Sequence, residues 1–215
     1  MKQLLKKELQ LALHPTCWVF LLLSAMVLIP NYPYYVIFFY TGLGVFFTCL
    51  GGRENQDVFY TMLLPVSRKQ LVQARIGTVA ALELLQMLAV IGFSLLRRAL
   101  SIPPNSAGME ANIALLGLSL IMLGLNHLVF FPVYYRNVRR VGAAFISGSA
   151  VVFLYIAAVE TMAHTIPFVR DQLDTPDPEF LRQKLAVLAI GAVVYCVLTW
   201  ISCRRSIRLF EKQDL

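Results

Sequence analysis

The sequence predicts an all-α membrane protein with six transmembrane helices, preceded by a short helix at the membrane surface. Of its 215 residues, 58% are hydrophobic and only 14% are charged, whereas soluble domains carry about 25% charged residues. The mean hydropathy is +0.68. Several apolar runs approach the roughly 20 residues that a helix needs to cross a bilayer. An isolated strand would leave its backbone groups unpaired in lipid, so helices are expected.

Residues 1–14 predict a helix that lies in the plane of the membrane surface. Leu4, Leu5 and Leu9 form an apolar stripe. The stripe is flanked by Lys2, Lys6 and Lys7. Such a helix buries its apolar side among the lipids and holds its cations near anionic head groups. Because no small-x-small cleavage site follows cleanly, we expect the segment to be retained rather than removed as a signal peptide.

Six spans are predicted, and together they form a single transmembrane domain over residues 1–215. Their approximate bounds are 15–30, 34–50, 76–96, 111–131, 141–163 and 185–202. The first two spans are joined by the tight turn Pro30-Asn31-Tyr32-Pro33. The connections 97–110 and 164–184 are too short to fold as separate domains. Residues 51–75 form a longer, polar connection.

The distribution of basic residues predicts that both termini are cytoplasmic. Cytoplasmic connections of membrane proteins are enriched in Lys and Arg. With the N-terminus inside, most of the 19 basic residues fall in cytoplasmic segments. The exceptions are Arg97, Arg98, Arg170, Arg182 and Lys184. This asymmetry favours an even number of spans, and it explains the net charge of +7 without a nucleic-acid partner.

Small residues in the fifth span predict a close contact with another helix. The segment contains Gly142, Ala143, Ala144, Ser147, Gly148 and Ser149. Small residues spaced four apart let two helix backbones approach closely in a membrane. The contact could lie within one subunit or between two copies. Cys17, Cys49, Cys196 and Cys203 form no CxxC pair and are expected to be small buried side chains.

Aromatic residues are concentrated in the second span. They are Tyr34, Tyr35, Phe38, Phe39, Tyr40, Phe46 and Phe47. The first tyrosines are expected at the membrane–water interface, where aromatic rings with a polar end collect. For the others, two interpretations stay open. They are either lipid-facing bulk or a surface for an amphipathic substrate, and Phe38 and Phe39 are the candidate pathway residues.

Three polar residues inside predicted spans are candidates for a pathway or coupling role. Glu83 and Gln86 lie near the middle of the third span, and Glu160 lies in the fifth. Ionisable groups at this depth usually face the bundle interior or a wet cavity. The alternative is a hydrogen-bonded packing contact. Glu160 and His164 share a helix face, but one such pair does not make a metal site, and no bound metal is expected.

Motifs of common enzymes are missing from the sequence. It contains no GxxxxGK[ST] phosphate loop, no HExxH and no GxSxG. We therefore expect no catalytic residues in this chain. In particular, it is not expected to bind and hydrolyse ATP through a phosphate loop.

The connection 51–75 predicts a short amphipathic helix that ends at a proline. Gly51-Gly52 is expected to end the second span, and the helix is expected over Glu54–Leu64. Acidic residues such as Asp57 favour the beginning of a helix. Pro65 disfavours the α conformation of the residue before it, and Ser67 is suited to cap the next helix. Exposed Phe59, Met62 and Leu63 would form a docking surface.

Residues 64–75 read LPVSRKQLVQAR. This segment, together with the six spans and the surface helix, resembles the permease subunits of ABC-2 type ABC transporters. The similarity is greatest to the short bacterial permeases, among them exporters of peptides such as phenol-soluble modulins. The family often shows a phrase close to LPVSR-K-x-(I/L)-V-x-A-(R/K) in this connection.

The resemblance implies an exporter made of two permeases and two separate ATPase subunits in the bacterial cytoplasmic membrane. The 51–75 connection would hold a coupling helix that docks on an ATPase subunit, which binds ATP and Mg. The docking residues expected from it are Glu54, Asn55, Asp57, Val58, Phe59, Met62, Leu63 and Arg68. The substrate would be a hydrophobic or amphipathic peptide, lipid or drug.

Two other functions stay open from the residues alone. The chain could be a non-transporting immunity or sensor module built on the same scaffold, since its spans hold few polar pathway residues. It could also be a proton-coupled secondary carrier, an alternative that depends on Glu83 and Glu160.

Overall fold

The computed structural model describes residues 2–213, and all the regular structure in this range is helical. Two short N-terminal helices change their winding partway. The chain forms α1 (Lys2–Lys7, continued by a π-helical turn, Glu8–Ala12), α2 (Thr16–Leu22, continued as a 3-10 helix, Leu23–Leu28), α3 (Tyr35–Glu54), α4 (Asp57–Met62), α5 (Arg68–Ala99), α6 (Ile113–Arg136), α7 (Val141–Thr165) and α8 (Leu181–Glu211).

Five of these helices, α3 and α5 to α8, are long and apolar enough to cross a membrane. The sixth candidate is the pair Lys2–Ala12 and Thr16–Leu28, which is bent by 85°. At 1.5 Å per α-helical residue and 2.0 Å per 3-10 residue, Thr16–Leu28 is only about 22 Å long, less than the ~30 Å hydrocarbon core. The first predicted span is therefore a short helix. The bend sets α1 almost perpendicular to it, as a surface helix requires.

The chain order gives the bundle two distinct ends. One end, called here the α4 end, contains α4, the start of α5 and the end of α8. The opposite end contains the end of α5 and the two connections 100–112 and 166–180. Two hydrophobic clusters fill the bundle, one near each end: Phe38 and Leu115 belong to the cluster at the opposite end, and Val58 and Phe131 to the cluster at the α4 end.

The closest approach of two helices joins α6 and α8. A Cβ atom at Gly191 would lie 2.1 Å from the carbonyl oxygen of Gly117, and one at Gly117 would lie 2.7 Å from the backbone nitrogen of Leu188. Only glycine permits such contact between backbones. The close contact predicted for the fifth span is less extensive. Gly148 packs against α6, but a Cβ at Gly142 would meet nothing within 4 Å.

The residues at which helices begin agree with the sequence predictions better than the residues at which they end. Ser67 caps α5 as predicted: the backbone N–H of Gln70 donates to Ser67 Oγ, and Gln70 Oε1 accepts from the Ser67 backbone. Gly51-Gly52 does not end α3, which continues to Glu54. Glycine weakens a helix by only about 1 kcal/mol, and packing can compensate. The chain instead leaves the helix at Gln56, whose φ is +50°.

The connections at the opposite end fold back onto the bundle. Arg97 is buried, pairs with Glu110 at 3.3 Å and donates a hydrogen bond to the carbonyl of Val27. Lys184 is also buried and pairs with Asp177 at 3.2 Å. From the sequence, both were assigned only to the segments outside the cytoplasm. Their burial follows because each finds an anionic partner and backbone acceptors in these connections.

Candidate functional site

The α4 helix has an inner and an outer face. Val58 and Thr61 are buried against the bundle, and Asp57 points inward toward α5. The Thr61 hydroxyl donates to the backbone carbonyl of Asp57 at 2.7 Å. Two residues of the expected docking set, Asp57 and Val58, therefore lie on the side of α4 that faces its own bundle.

The outer face of α4 carries an apolar surface. Phe59 is 46% exposed and Leu63 is 68% exposed. Tyr60 and Leu64, which were not singled out from the sequence, are exposed as well. We call these four residues the α4 apolar surface. Met62, expected in the docking surface, is instead half-buried against the hydrophobic cluster of the α4 end.

Polar residues of the expected docking set border this surface. Glu54 and Asn55 are exposed, and Glu54 forms an ion pair with Arg53. A groove of about 520 Å³ lies beside α4. Its walls include Arg53, Phe59 and Arg139, the last from the turn between α6 and α7. The accessible side of α4 thus combines aromatic side chains with two cations.

A cluster of four charges, two of them buried and two partly buried, connects α1, α4 and α5. Arg75 of α5 is 1% exposed and donates hydrogen bonds to both carboxylate oxygens of Glu8. Its Nη2 atom also donates to Asp57 Oδ2 at 2.6 Å. Lys7 Nζ lies 2.5 Å from Asp57 Oδ1 and 3.1 Å from Glu8 Oε1. We call these residues the Arg75 cluster. The sequence assigned Arg75 to the polar connection 51–75, and its two acidic partners hold it inside the protein.

The charges of the Arg75 cluster also set the protonation state of Asp57 in α4. Burial would by itself raise the pKa of Asp57, but the positive charges of Arg75 and Lys7 outweigh burial and lower that pKa below its ordinary value of 3.8. Asp57 is therefore an anion at physiological pH. Its contribution to stability is complete above about pH 3.8 and is lost as the pH falls through the lowered pKa.

Arg68 has a different structural role. Its Nη1 atom lies 2.9 Å from the carbonyl oxygen of Phe210 and 2.8 Å from those of Glu211 and Gln213. Unpaired carbonyls at a helix C-terminus attract cations. Arg68 thus ties the start of α5 to the end of α8, and it lies outside the α4 apolar surface.

Glu83 belongs to a buried polar network across three helices. Its Oε1 atom lies 2.9 Å from His127 Nε2, and Oε2 accepts a hydrogen bond from the Tyr195 hydroxyl at 2.6 Å. His127 Nδ1 lies 2.9 Å from Thr199 Oγ1. Ser202 donates to the His127 carbonyl. His127 was expected to stand alone. Its partner is distant in sequence but adjacent in the bundle.

Gln86, one turn beyond Glu83, links α5 to α3. Its Nε2 atom donates to the carbonyl of Ile37 at 2.8 Å, and its Oε1 atom accepts from the Thr41 hydroxyl at 2.5 Å. All three groups are buried. The structure thus satisfies both Glu83 and Gln86 with hydrogen bonds inside one subunit.

Glu160 lies apart from these two residues, near the opposite end of α7. It is half-buried beneath the connection 100–112, and a Cβ at Gly108 would lie 2.9 Å from Glu160 Oε1. Within residues 2–213 no group of three or more His, Cys, Asp or Glu side chains is placed to hold a metal ion. Glu83 and Glu160 do not share one site.

The aromatic residues of α3 pack inside the protein. Tyr34, Tyr35 and Phe38 are fully buried, so these side chains face other parts of the protein rather than its surface. Phe39 is partly buried, and its ring centroid lies 5.0 Å from that of Phe153. The gap lined by Phe38 and Phe39 holds about 10 Å³, room for roughly one water molecule.

These features define a multi-pass helical membrane protein that presents an apolar helix at one polar end of its bundle. The chain belongs to the ABC-2 transporter family: the family model described as ABC-2 family transporter protein matches residues 3–211. It is thus an ABC-2 type permease. Permeases of this family are normally non-catalytic membrane subunits that act with an ABC ATPase. No curated protein and no solved structure matches the chain.

Proposed function

We propose that this permease is the membrane subunit of an ATP-driven exporter and that α4 is its coupling helix. The α4 apolar surface carries this proposal. An exposed patch of aromatic and aliphatic side chains at the polar end of a membrane bundle is typical of a protein docking site. Arg139 of the adjacent groove, which forms no ion pair within residues 2–213, favours an acidic residue on the ATPase subunit.

The Arg75 cluster supports a route for movement from α4 into the membrane. A displacement of α4 pulls on Asp57, which is paired with Arg75 of α5 and with Lys7 at the end of α1. A buried ion network has few alternative arrangements, because each broken pair leaves an uncompensated charge. Force on α4 is therefore passed to α5 and to the surface helix together. ATP and Mg would be bound by the ATPase subunit.

The tight packing around Phe38 and Phe39 supports transport between two permeases rather than through one. The gap beside these residues is too small for a peptide, lipid or drug molecule. A second permease, identical or related, would supply the other wall of a path for a hydrophobic or amphipathic substrate. The abundance of basic residues at the α4 end favours a cytoplasmic location of that end in the bacterial membrane.

Substitution of Phe59 tests the docking surface. We expect Phe59→Ser to weaken binding to the ATPase subunit by at least about tenfold, since truncating an aromatic anchor costs about 2 kcal/mol. Binding is measured by titrating the purified permease with that subunit. Phe168→Ser is the matched control, because Phe168 is equally exposed, at 50%, but lies at the opposite end. If Phe59→Ser bound the ATPase subunit as tightly as Phe168→Ser, α4 would not belong to the docking surface.

Substitution of Glu83 separates ATP-driven export from proton-coupled transport. Glu83→Gln keeps an oxygen for Tyr195 and an amide for His127, but it cannot exchange a proton. We expect this variant to retain at least half of ATP-driven transport in proteoliposomes. Glu83→Leu should unfold at a lower temperature, because His127 and Tyr195 lose their partner. Loss of transport in a stably folded Glu83→Gln variant would support the proton-coupled alternative.

A further inference from the structure

The opposite end of the bundle contains a pocket large enough to hold part of a small molecule. Its volume is about 480 Å³, within the roughly 300–1,000 Å³ range of small-molecule sites. It lies between the end of α5, the beginning of α6 and the beginning of α8. Most of its walls are apolar, with Ile91 and Leu95 on α5, Leu116 on α6 and Leu181 on α8.

The pocket opens on the exposed side of these helices. Leu95 is 63% exposed, and Ile91 and Leu181 are also exposed. Ile91 and Leu95 lie within about two turns of the end of α5, and Leu181 begins α8, at the level where a transmembrane helix leaves the hydrocarbon. A molecule in the pocket can therefore keep an acyl chain in the bilayer while its polar part meets the α5 terminus.

One positive charge of the pocket has no counter-ion. Arg97 is paired with Glu110, and Asp177 with Lys184. Asp177 also accepts a hydrogen bond from the Ile113 backbone. Arg98 lines the pocket and is exposed, and it forms no ion pair within residues 2–213. After internal pairing, the pocket thus presents apolar walls and a single guanidinium group.

We propose that this pocket binds an anionic phospholipid of the surrounding leaflet. The lipid phosphate binds Arg98, and the first part of an acyl chain packs on Ile91 and Leu95. A guanidinium group can donate two parallel hydrogen bonds to phosphate oxygens, which makes arginine well suited to this head group. The site lies at the end remote from α4, and its occupation does not depend on the ATPase docking proposed above.

The experiment compares two lipids with identical acyl chains. The full-length protein is purified, stripped of lipid and titrated with phosphatidylglycerol or phosphatidylcholine, and bound lipid is counted by native mass spectrometry. Both lipids carry an anionic phosphate, but phosphatidylcholine adds a choline cation that the guanidinium group of Arg98 repels. We therefore expect phosphatidylglycerol to bind roughly tenfold more tightly. Arg98→Gln should abolish this preference. Ser94→Trp, which enlarges a side chain of the pocket wall, should weaken binding of both lipids.

Arg170→Gln is the control, because Arg170 is an exposed arginine at the same end that pairs with Asp171 and does not line the pocket. It should keep the preference of the unmodified protein. The proposal is overturned if Arg98→Gln binds phosphatidylglycerol normally, or if phosphatidylcholine binds equally well. Complete displacement by millimolar inorganic phosphate would also overturn it, since the apolar walls would then contribute nothing.

Discussion

Replacing Arg75 with Met is expected to destabilise the protein by about 3–5 kcal/mol, the usual cost of removing one partner from a buried ion pair. Glu8 is 2% exposed and would lose its main cation, while Asp57 would keep only Lys7. We expect a markedly lower unfolding temperature in detergent. Because the cluster holds α4 against α5, ATPase stimulation by the assembled complex should fall too.

Arg53→Met is the control for this substitution. Arg53 also pairs with a carboxylate, that of Glu54, but both side chains are exposed. Exposed pairs contribute only about 0–1 kcal/mol, so this variant should unfold close to the unmodified protein. The double variant Glu8→Met, Arg75→Met removes a cation together with its anion and should recover part of the loss. Equal unfolding temperatures for Arg53→Met and Arg75→Met would disprove the structural role of the cluster.

The pH dependence of unfolding provides an independent readout of the same cluster. With Arg75 present, the pKa of Asp57 is lowered, so acid should weaken this contact only below about pH 3.8. Without Arg75, burial is opposed mainly by Lys7, and the pKa of Asp57 rises. Protonation of Asp57 in the Arg75→Met variant should therefore begin at a higher pH.

Gly191→Ala is expected to give the second large effect. The added methyl would lie 2.1 Å from the carbonyl oxygen of Gly117. That atom belongs to a helix backbone and cannot rotate away, so α6 and α8 must separate. Overpacking typically costs about 1–3 kcal/mol and more where the backbone must move. The unfolding temperature in detergent should fall clearly.

Gly92→Ala is the control, because it adds the same methyl group at a position where no other atom is close. A Cβ at Gly92 meets nothing within 4 Å, and alanine favours a helix over glycine by up to about 1 kcal/mol. This variant should be as stable as the unmodified protein or slightly more stable. If Gly191→Ala behaved like Gly92→Ala, the helices would not be as close as the structure shows.

The parts of the fold that depend on residues close together in the chain were predictable from the sequence. Hydropathy located the long spans, and Ser67 with Gln70 marked the start of α5. The helical spacing of Phe59 and Leu63 predicted an exposed surface on α4. Its exact composition was not predictable, because Met62 packs inward against residues of other helices.

The polar contacts at the centre of the site depend on residues far apart in the chain. Arg75 is separated from Glu8 by 67 positions, and Glu83 from His127 by 44. Which of these residues meet is decided by helix packing, to which glycines such as Gly117 contribute. A single sequence shows the cost of placing Glu83 in a membrane, but not the partner that offsets it.

The contact between Gly117 and Gly191 also constrains how the protein is made. It joins α6 to the last helix, and Arg68 at the start of α5 is bound by carbonyls at the very end of α8. During synthesis, the earlier helices enter the membrane before α8 has left the ribosome. Until then, the face of α6 around Gly117 is open and the first turn of α5 lacks its final anchor. The contacts of α6 and α5 with α8 therefore form only after α8 has been inserted.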